Sequence, residues 1–143
     1  ESPLKLIDFG LSRRLSNEAG TSLTPKIGTT EYMAPEVFAG RVREALADRT
    51  DIWSMGVILH VMFIGHFPSP RLAELTTEEY LSLACWQRVS PAARNFLGSL
   101  LRQDPNQRSS VPIALRHPWL AQALTPEAAQ VARSLSSELR AFS

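Results

Sequence analysis

The sequence predicts a mainly α-helical fold around one central helix, and three observations lead there. Asp51 to Ile64 is apolar at nearly every position, with Ile52, Trp53, Met55, Val57, Ile58, Leu59, Val61, Met62, Phe63 and Ile64. That run is too long for a typical strand, and apolarity on every face marks a helix enclosed by others. Ser90-Pro91 places a capping hydroxyl before a proline, and Ala93, Phe96, Leu97, Leu100 and Leu101 follow at helical spacing. Strand patterning is confined to the short stretch Leu4-Lys5-Leu6-Ile7.

Composition bounds the function. A chain of 143 residues fits one domain or part of one, and 44% hydrophobic with 20% charged residues is globular rather than disordered. Fifteen Lys and Arg stand against fourteen Asp and Glu, a net charge of +1 with no basic block, so neither nucleic acid nor an anionic membrane surface is indicated. The single cysteine, Cys85, forms no internal disulfide and no multi-cysteine metal site, and it fits a reducing compartment. The apolar stretch Val57 to Ile64 contains His60 and falls far short of the roughly 20 residues that span a bilayer. Glu1-Ser2-Pro3 shows no targeting segment and no initiator Met, from which a fragment and a cytoplasmic location are expected.

The remaining elements follow in order. Leu4 to Ile7 runs into Asp8-Phe9-Gly10, a strand meeting a turn where glycine is permissive. Ser12 to Thr30, rich in Ser, Thr, Asn, Gly and Pro, reads as a long exposed loop. Ala34-Pro35-Glu36-Val37-Phe38 starts a helical turn that Gly40 ends, and Arg41 to Arg49 reads as a polar, solvated connection. Gly65 and Phe67-Pro68-Ser69-Pro70 stop the central helix, and a short helix is expected from near Thr76 or Thr77. Val111 to Leu115 leads to His117-Pro118-Trp119-Leu120, where Trp119 reads as a core anchor. His60, His66 and His117 are too scattered for a metal site. Thr125-Pro126-Glu127 opens a last helix in which Ala128, Ala132, Leu135, Leu139 and Phe142 share one face.

An Asp-Phe-Gly triplet alone is weak, but Ala34-Pro35-Glu36 ends 28 residues after Asp8, with Gly28-Thr29 just before it and Asp51-Ile52-Trp53-Ser54-Met55-Gly56 after it. This order, continued by Asp104-Pro105-Asn106-Gln107-Arg108 and His117-Pro118-Trp119-Leu120, resembles the eukaryotic protein kinases over nearly the whole chain. The resemblance implies a partial kinase C-lobe at residues 1–120, made of a short strand, an activation segment and helices around the central one, with a helical tail at 121–143 as the start of a regulatory segment. It implies ATP and Mg²⁺ as cofactors of the intact domain. Asp8 is then the metal ligand, a hard carboxylate suited to Mg²⁺ beside phosphates, and Phe9 and Gly10 are the activation-segment switch. Gly28, Thr29 and Tyr32 line the substrate pocket by the same resemblance, and the Gly28-Thr29-Thr30-Glu31-Tyr32 segment favours Ser or Thr as acceptor. Glu36 and Arg108, 72 positions apart, resemble the family's structural ion pair. Asp51 resembles its catalytic-loop anchor, and without that loop is expected to be a buried carboxylate in search of hydrogen bonds. Thr24, Thr21 and Ser22 are candidate phosphosites, with Pro25 standing where many relatives keep the modified threonine.

Within the kinases, Asp8 to Ser12, Trp86 to Ser90 and His117 to Leu120 look most like the calcium-dependent and calmodulin-dependent group, although no EF-hand loop is present. The glycine-rich loop, its lysine and glutamate, and the H-R-D loop with its asparagine do not occur among these residues, so the chain alone is expected to be inactive and poorly stable. Two functions are carried forward. The first is a piece of a serine/threonine kinase acting on protein substrates, with a regulatory partner at the C-terminal helix. The second is a non-catalytic kinase-derived interaction module.

Overall fold

The computed structural model describes residues 29–69 and 75–123, and every regular element among them is helical. The helices are α1 (Pro35–Phe38), α2 (Asp48–Ile64), α3 (Thr77–Ser82), α4 (Pro91–Leu100), α5 (Val111–Leu115) and α6 (Pro118–Ala123). Turns of 3₁₀ helix form at Thr30–Tyr32, Glu44–Leu46 and Ala84–Trp86. The expected strand at Leu4 to Ile7, the loop up to Gly28 and the helix from Thr125 lie outside the described residues.

Helix α2 organises the rest, and it differs from the sequence pattern in two ways. It begins at Asp48, inside the stretch expected to be a solvated connection, because Asp48 and Asp51 place carboxylates in the first turn, where they complement the helix dipole. Apolar periodicity alone could not find a start made of polar residues. It is also not enclosed on every side. Ile52, Trp53, Gly56, Val57 and His60 are buried, whereas Met55, Ile58 and Met62 are 58%, 43% and 75% exposed. Gly65 ends the helix at φ +87°, donating its N–H to the Val61 carbonyl at 2.8 Å in a conformation that a side chain would strain.

Helix α4 packs across α2. Its Ser90 hydroxyl accepts the Ala93 N–H at 3.2 Å, and Pro91 sits in the first turn, where no N–H is needed. The stripe read from the sequence faces inward: Ala93, Phe96, Leu97, Leu100 and Leu101 are all buried. Leu97 and Leu101, fully enclosed, each contribute about 1.5–3 kcal/mol relative to exposure. One core cluster joins Ala34, Trp53, Val57, Tyr80, Trp86, Leu97 and Leu101, and a second joins Ile52, Phe96, Leu100 and Ala114.

Two local devices fix the periphery. Thr76 and Glu79 form a reciprocal capping box at the start of α3, which holds the Glu79 carboxyl below its ordinary range. His117 accepts the Trp119 N–H through Nδ1 at 3.2 Å, so its Nε2 donates to Asn95 at 2.9 Å. Trp119 is thereby stacked on Phe96 and set edge-on to Phe63, with centroids 5.2 and 5.9 Å apart.

Candidate functional site

The most completely satisfied polar centre among the described residues is Arg108. Asp104 builds its approach, since the Asp104 carboxylate accepts the Asn106 N–H at 2.9 Å and the Asn106 amide at 2.8 Å. Those bonds hold the Asp104 carboxyl below its usual range and tighten a turn in which the Gln107 and Arg108 N–H groups donate to the Asp104 carbonyl. Ser109 then donates to the Ser99 carbonyl at 2.9 Å, pinning the turn to α4 and aiming Arg108 inward.

The guanidinium, only 1% exposed, spends all five N–H donors. Nη1 and Nη2 bond the two Glu36 carboxylate oxygens at 2.7 and 2.9 Å, a bidentate fork. Nη1 also reaches the Arg49 carbonyl at 2.7 Å, Nε the Arg102 carbonyl at 3.0 Å, and Nη2 the Gln103 carbonyl at 3.4 Å. The Trp53 ring lies 5.0 Å from the guanidinium carbon and covers one of its faces. Arg49 closes the loop by donating to the Arg108 carbonyl. Four segments are thus tied at one point: α1, the start of α2, the end of α4 and the Asp104 turn.

Around this centre the segment before α1 is fastened to α2. The Tyr32 carbonyl accepts the Ser54 hydroxyl at 2.9 Å, and the Tyr32 ring meets Phe67 edge-on with centroids 5.1 Å apart. The Thr29 carbonyl accepts the Tyr32 N–H at 3.2 Å, and Thr29 itself is exposed. Asp51 corrects an expectation: it is exposed rather than buried, because it projects from the open side of α2. The flanking protein and the nearby Asp48 charge nonetheless raise its pKa.

The structure therefore brings Glu36 to Arg108 and sets Tyr32 against α2, while Thr29 and Asp51 stand at the surface. Asp8, Phe9, Gly10, Thr21, Ser22, Thr24 and Gly28 lie outside the described residues. No group of three or more His, Cys, Asp or Glu that could hold a metal ion occurs among the described residues. Nor is any helix among them long and apolar enough to cross a membrane. An open groove of about 600 Å³ lies between α3 and α4, bordered by Glu78, Arg94 and Arg102, with Glu78 and Arg102 paired across it at 2.5 Å.

Sequence reasoning missed Arg49 and the carbonyls that receive Arg108, because a backbone acceptor has no residue signature. It counted Trp53 only as core, whereas its ring also covers the Arg108 guanidinium.

A family model described as the protein kinase domain matches residues 1–120. Mouse ribosomal protein S6 kinase alpha-6 is 35% identical over 129 residues, covering 83% of this chain and 16% of the relative. The Emericella nidulans calcium/calmodulin-dependent protein kinase cmkA is 36% identical over 149 aligned positions, covering 99% of this chain and 34% of the relative. Among solved structures, Rad53 1-466 in complex with AMP-PNP matches with a TM-score of 0.50 and 32% identity, over 67% of this chain and 27% of that one. The chain thus spans between about a sixth and a third of these relatives' length. On the motifs, the Arg108 centre and the family match together, the chain belongs to the protein kinase domain family.

Proposed function

We propose that this chain is the part of a serine/threonine protein kinase domain that starts at Asp8-Phe9-Gly10, and that in the intact domain it serves transfer of the ATP γ-phosphoryl group to Ser or Thr of protein substrates. The observation that carries the reading is the Arg108 centre, which closes Ala34-Pro35-Glu36 onto Asp104-Pro105-Asn106-Gln107-Arg108 across 72 residues. A rigid tie of this kind suits a surface that must hold a protein substrate in one geometry. In this reading Thr29 and Tyr32 line the substrate pocket with Gly28, and the Ser54 bond to Tyr32 keeps that segment on α2. Asp8 holds the metal, Phe9 and Gly10 set the state of the segment, and phosphate on Thr24, Thr21 or Ser22 would regulate it. In this reading Asp51, exposed on α2, receives the catalytic loop of the intact domain. The tail from residue 121 is the start of a regulatory segment with its own partner.

A hybrid protein tests this. The part of cmkA preceding its own D-F-G is joined to residues 8–143, and transfer of labelled phosphate from ATP to a Ser/Thr peptide library is measured. The 143-residue chain alone is expected to transfer nothing and the hybrid to label Ser and Thr; Asp8→Ala in the hybrid abolishes transfer. A folded hybrid that binds ATP yet labels nothing, or labels only tyrosine, overturns the proposal. The exposed Met55, Ile58 and Met62 stripe favours a second reading, the non-catalytic interaction module, which a folded but inactive hybrid would support.

A further inference from the structure

His60 is a buried histidine that neither the ion-pair centre nor the kinase reading uses. It is 1% exposed and stands at the centre of a hydrogen-bonded chain. Nδ1 lies 2.9 Å from the His66 carbonyl, which can only accept, so Nδ1 carries the hydrogen. In a neutral ring Nε2 is then a lone pair, and at 2.8 Å it accepts the Tyr80 hydroxyl. The Tyr80 oxygen in turn accepts the Ser69 N–H at 3.3 Å. Trp86, fully buried, meets His60 edge-on at 5.0 Å, and Tyr80 is 3% exposed.

We propose that His60, Tyr80 and the backbone of residues 65–69 form a proton-operated latch, which holds this segment against α2 and α3 while the imidazole is neutral and releases it on protonation. A proton added at Nε2 makes both ring nitrogens donors. Tyr80 can then no longer donate to Nε2, and the direction of the whole chain is broken. The new charge is also poorly placed. Among the described residues the titratable groups around it are His66 on the same segment, Tyr80 on α3 and Cys85 in the following turn, and none of these supplies a carboxylate. Glu78 and Glu79 on α3 are engaged by Arg102 and by the Thr76 N–H. Burial first, and the His66 charge second, press the His60 pKa below its ordinary 6.5 against the opposing bond to the His66 carbonyl. The sign follows by linkage. Well above 6.5 neither the latched nor the released His60 binds a proton and the latch is at full strength; as pH falls through 6.5 the released form binds one first, so the latch weakens by up to about tenfold per pH unit until the latched form protonates too. Phe67 lies in the latched segment and packs on Tyr32, so release would free one side of Tyr32.

The test is a pH titration of the full 143-residue chain, following the His60 ring by NMR together with hydrogen exchange at the Ser69 amide. Expected are the Nδ1–H tautomer at pH 7.5, a His60 midpoint below 6.5, and Ser69 exchange, corrected for its intrinsic rate, rising in step with His60 protonation. Tyr80→Phe keeps the ring and removes the hydroxyl; it should expose the Ser69 amide at every pH and move the His60 midpoint upward. A His60 midpoint at or above 6.5, an Nε2–H tautomer, or Ser69 protection unchanged through the titration would overturn the latch. The wild-type titration decides this even if the variant does not fold.

Discussion

At the scale of single residues, Arg108 shows why a buried charge is informative even when it adds little net stability. Its desolvation is offset only because all five donors find acceptors, and that makes the centre intolerant of half measures. Arg108→Leu would leave the Glu36 carboxylate, itself only 10% exposed in the side chain, without its counter-charge. It would also remove the donors that Arg108 supplies to the carbonyls of Arg49, Arg102 and Gln103. We expect a loss of about 3–5 kcal/mol in urea unfolding. Arg108→Lys keeps one charge but offers three donors from a single point, and should lose about 1–3 kcal/mol. Equal and small losses for the two variants would mean that the fork is not holding the four segments together. Glu36 and Arg108 were both legible in the sequence because their motifs are local and specific. The acceptors that complete the centre were not, since a carbonyl belongs to every residue alike.

At the scale of elements, the contact between α2 and α4 is set by what is missing from Gly56. A methyl group there would stand 2.8 Å from Leu101 Cδ2 and 3.0 Å from Leu100 Cβ, closer than the packed helices allow. Gly56→Ala gains up to about 1 kcal/mol of helix propensity, but overpacking costs about 1–3 kcal/mol, so the net effect should be a lower unfolding midpoint. Gly65→Ala should also destabilise, by about 1–2 kcal/mol, for a different reason: its Cβ meets nothing within 4 Å, but its φ of +87° is left-handed. A double-mutant cycle separates the two. Leu101→Val should relieve Gly56→Ala and leave Gly65→Ala unchanged, whereas equal coupling to both would refute the close-approach account. The same contrast explains what could be read in advance. Helix α4 was legible because its cap, proline and stripe lie within a dozen residues of each other. The start of α2 was not, because Asp48 to Thr50 are polar, and its open side was not, because apolar periodicity shows which faces avoid water but not which of them a neighbour covers.

At the scale of the whole molecule, α2 presents apolar surface in two directions. One side is the core; the other carries Met55, Ile58 and Met62, three and four residues apart, and so aligned along one stripe. A stripe of this kind on a chain of net charge +1 has little repulsion to keep copies apart. We expect the 143-residue chain to self-associate, with a mean mass by light scattering that rises with concentration. Replacing Met55 and Met62 together by Lys should restore a monomer, since both side chains are more than half exposed and Met→Lys is neutral in helix propensity. That pair also adds two charges, so the informative control is Gln87→Lys with Gln107→Lys, at exposed positions away from the stripe. If only the methionine pair gives a concentration-independent mass near 15.9 kDa, the stripe drives association. If the glutamine pair does so equally, the cause is the low net charge, and the open side of α2 is not what makes this chain seek a neighbour.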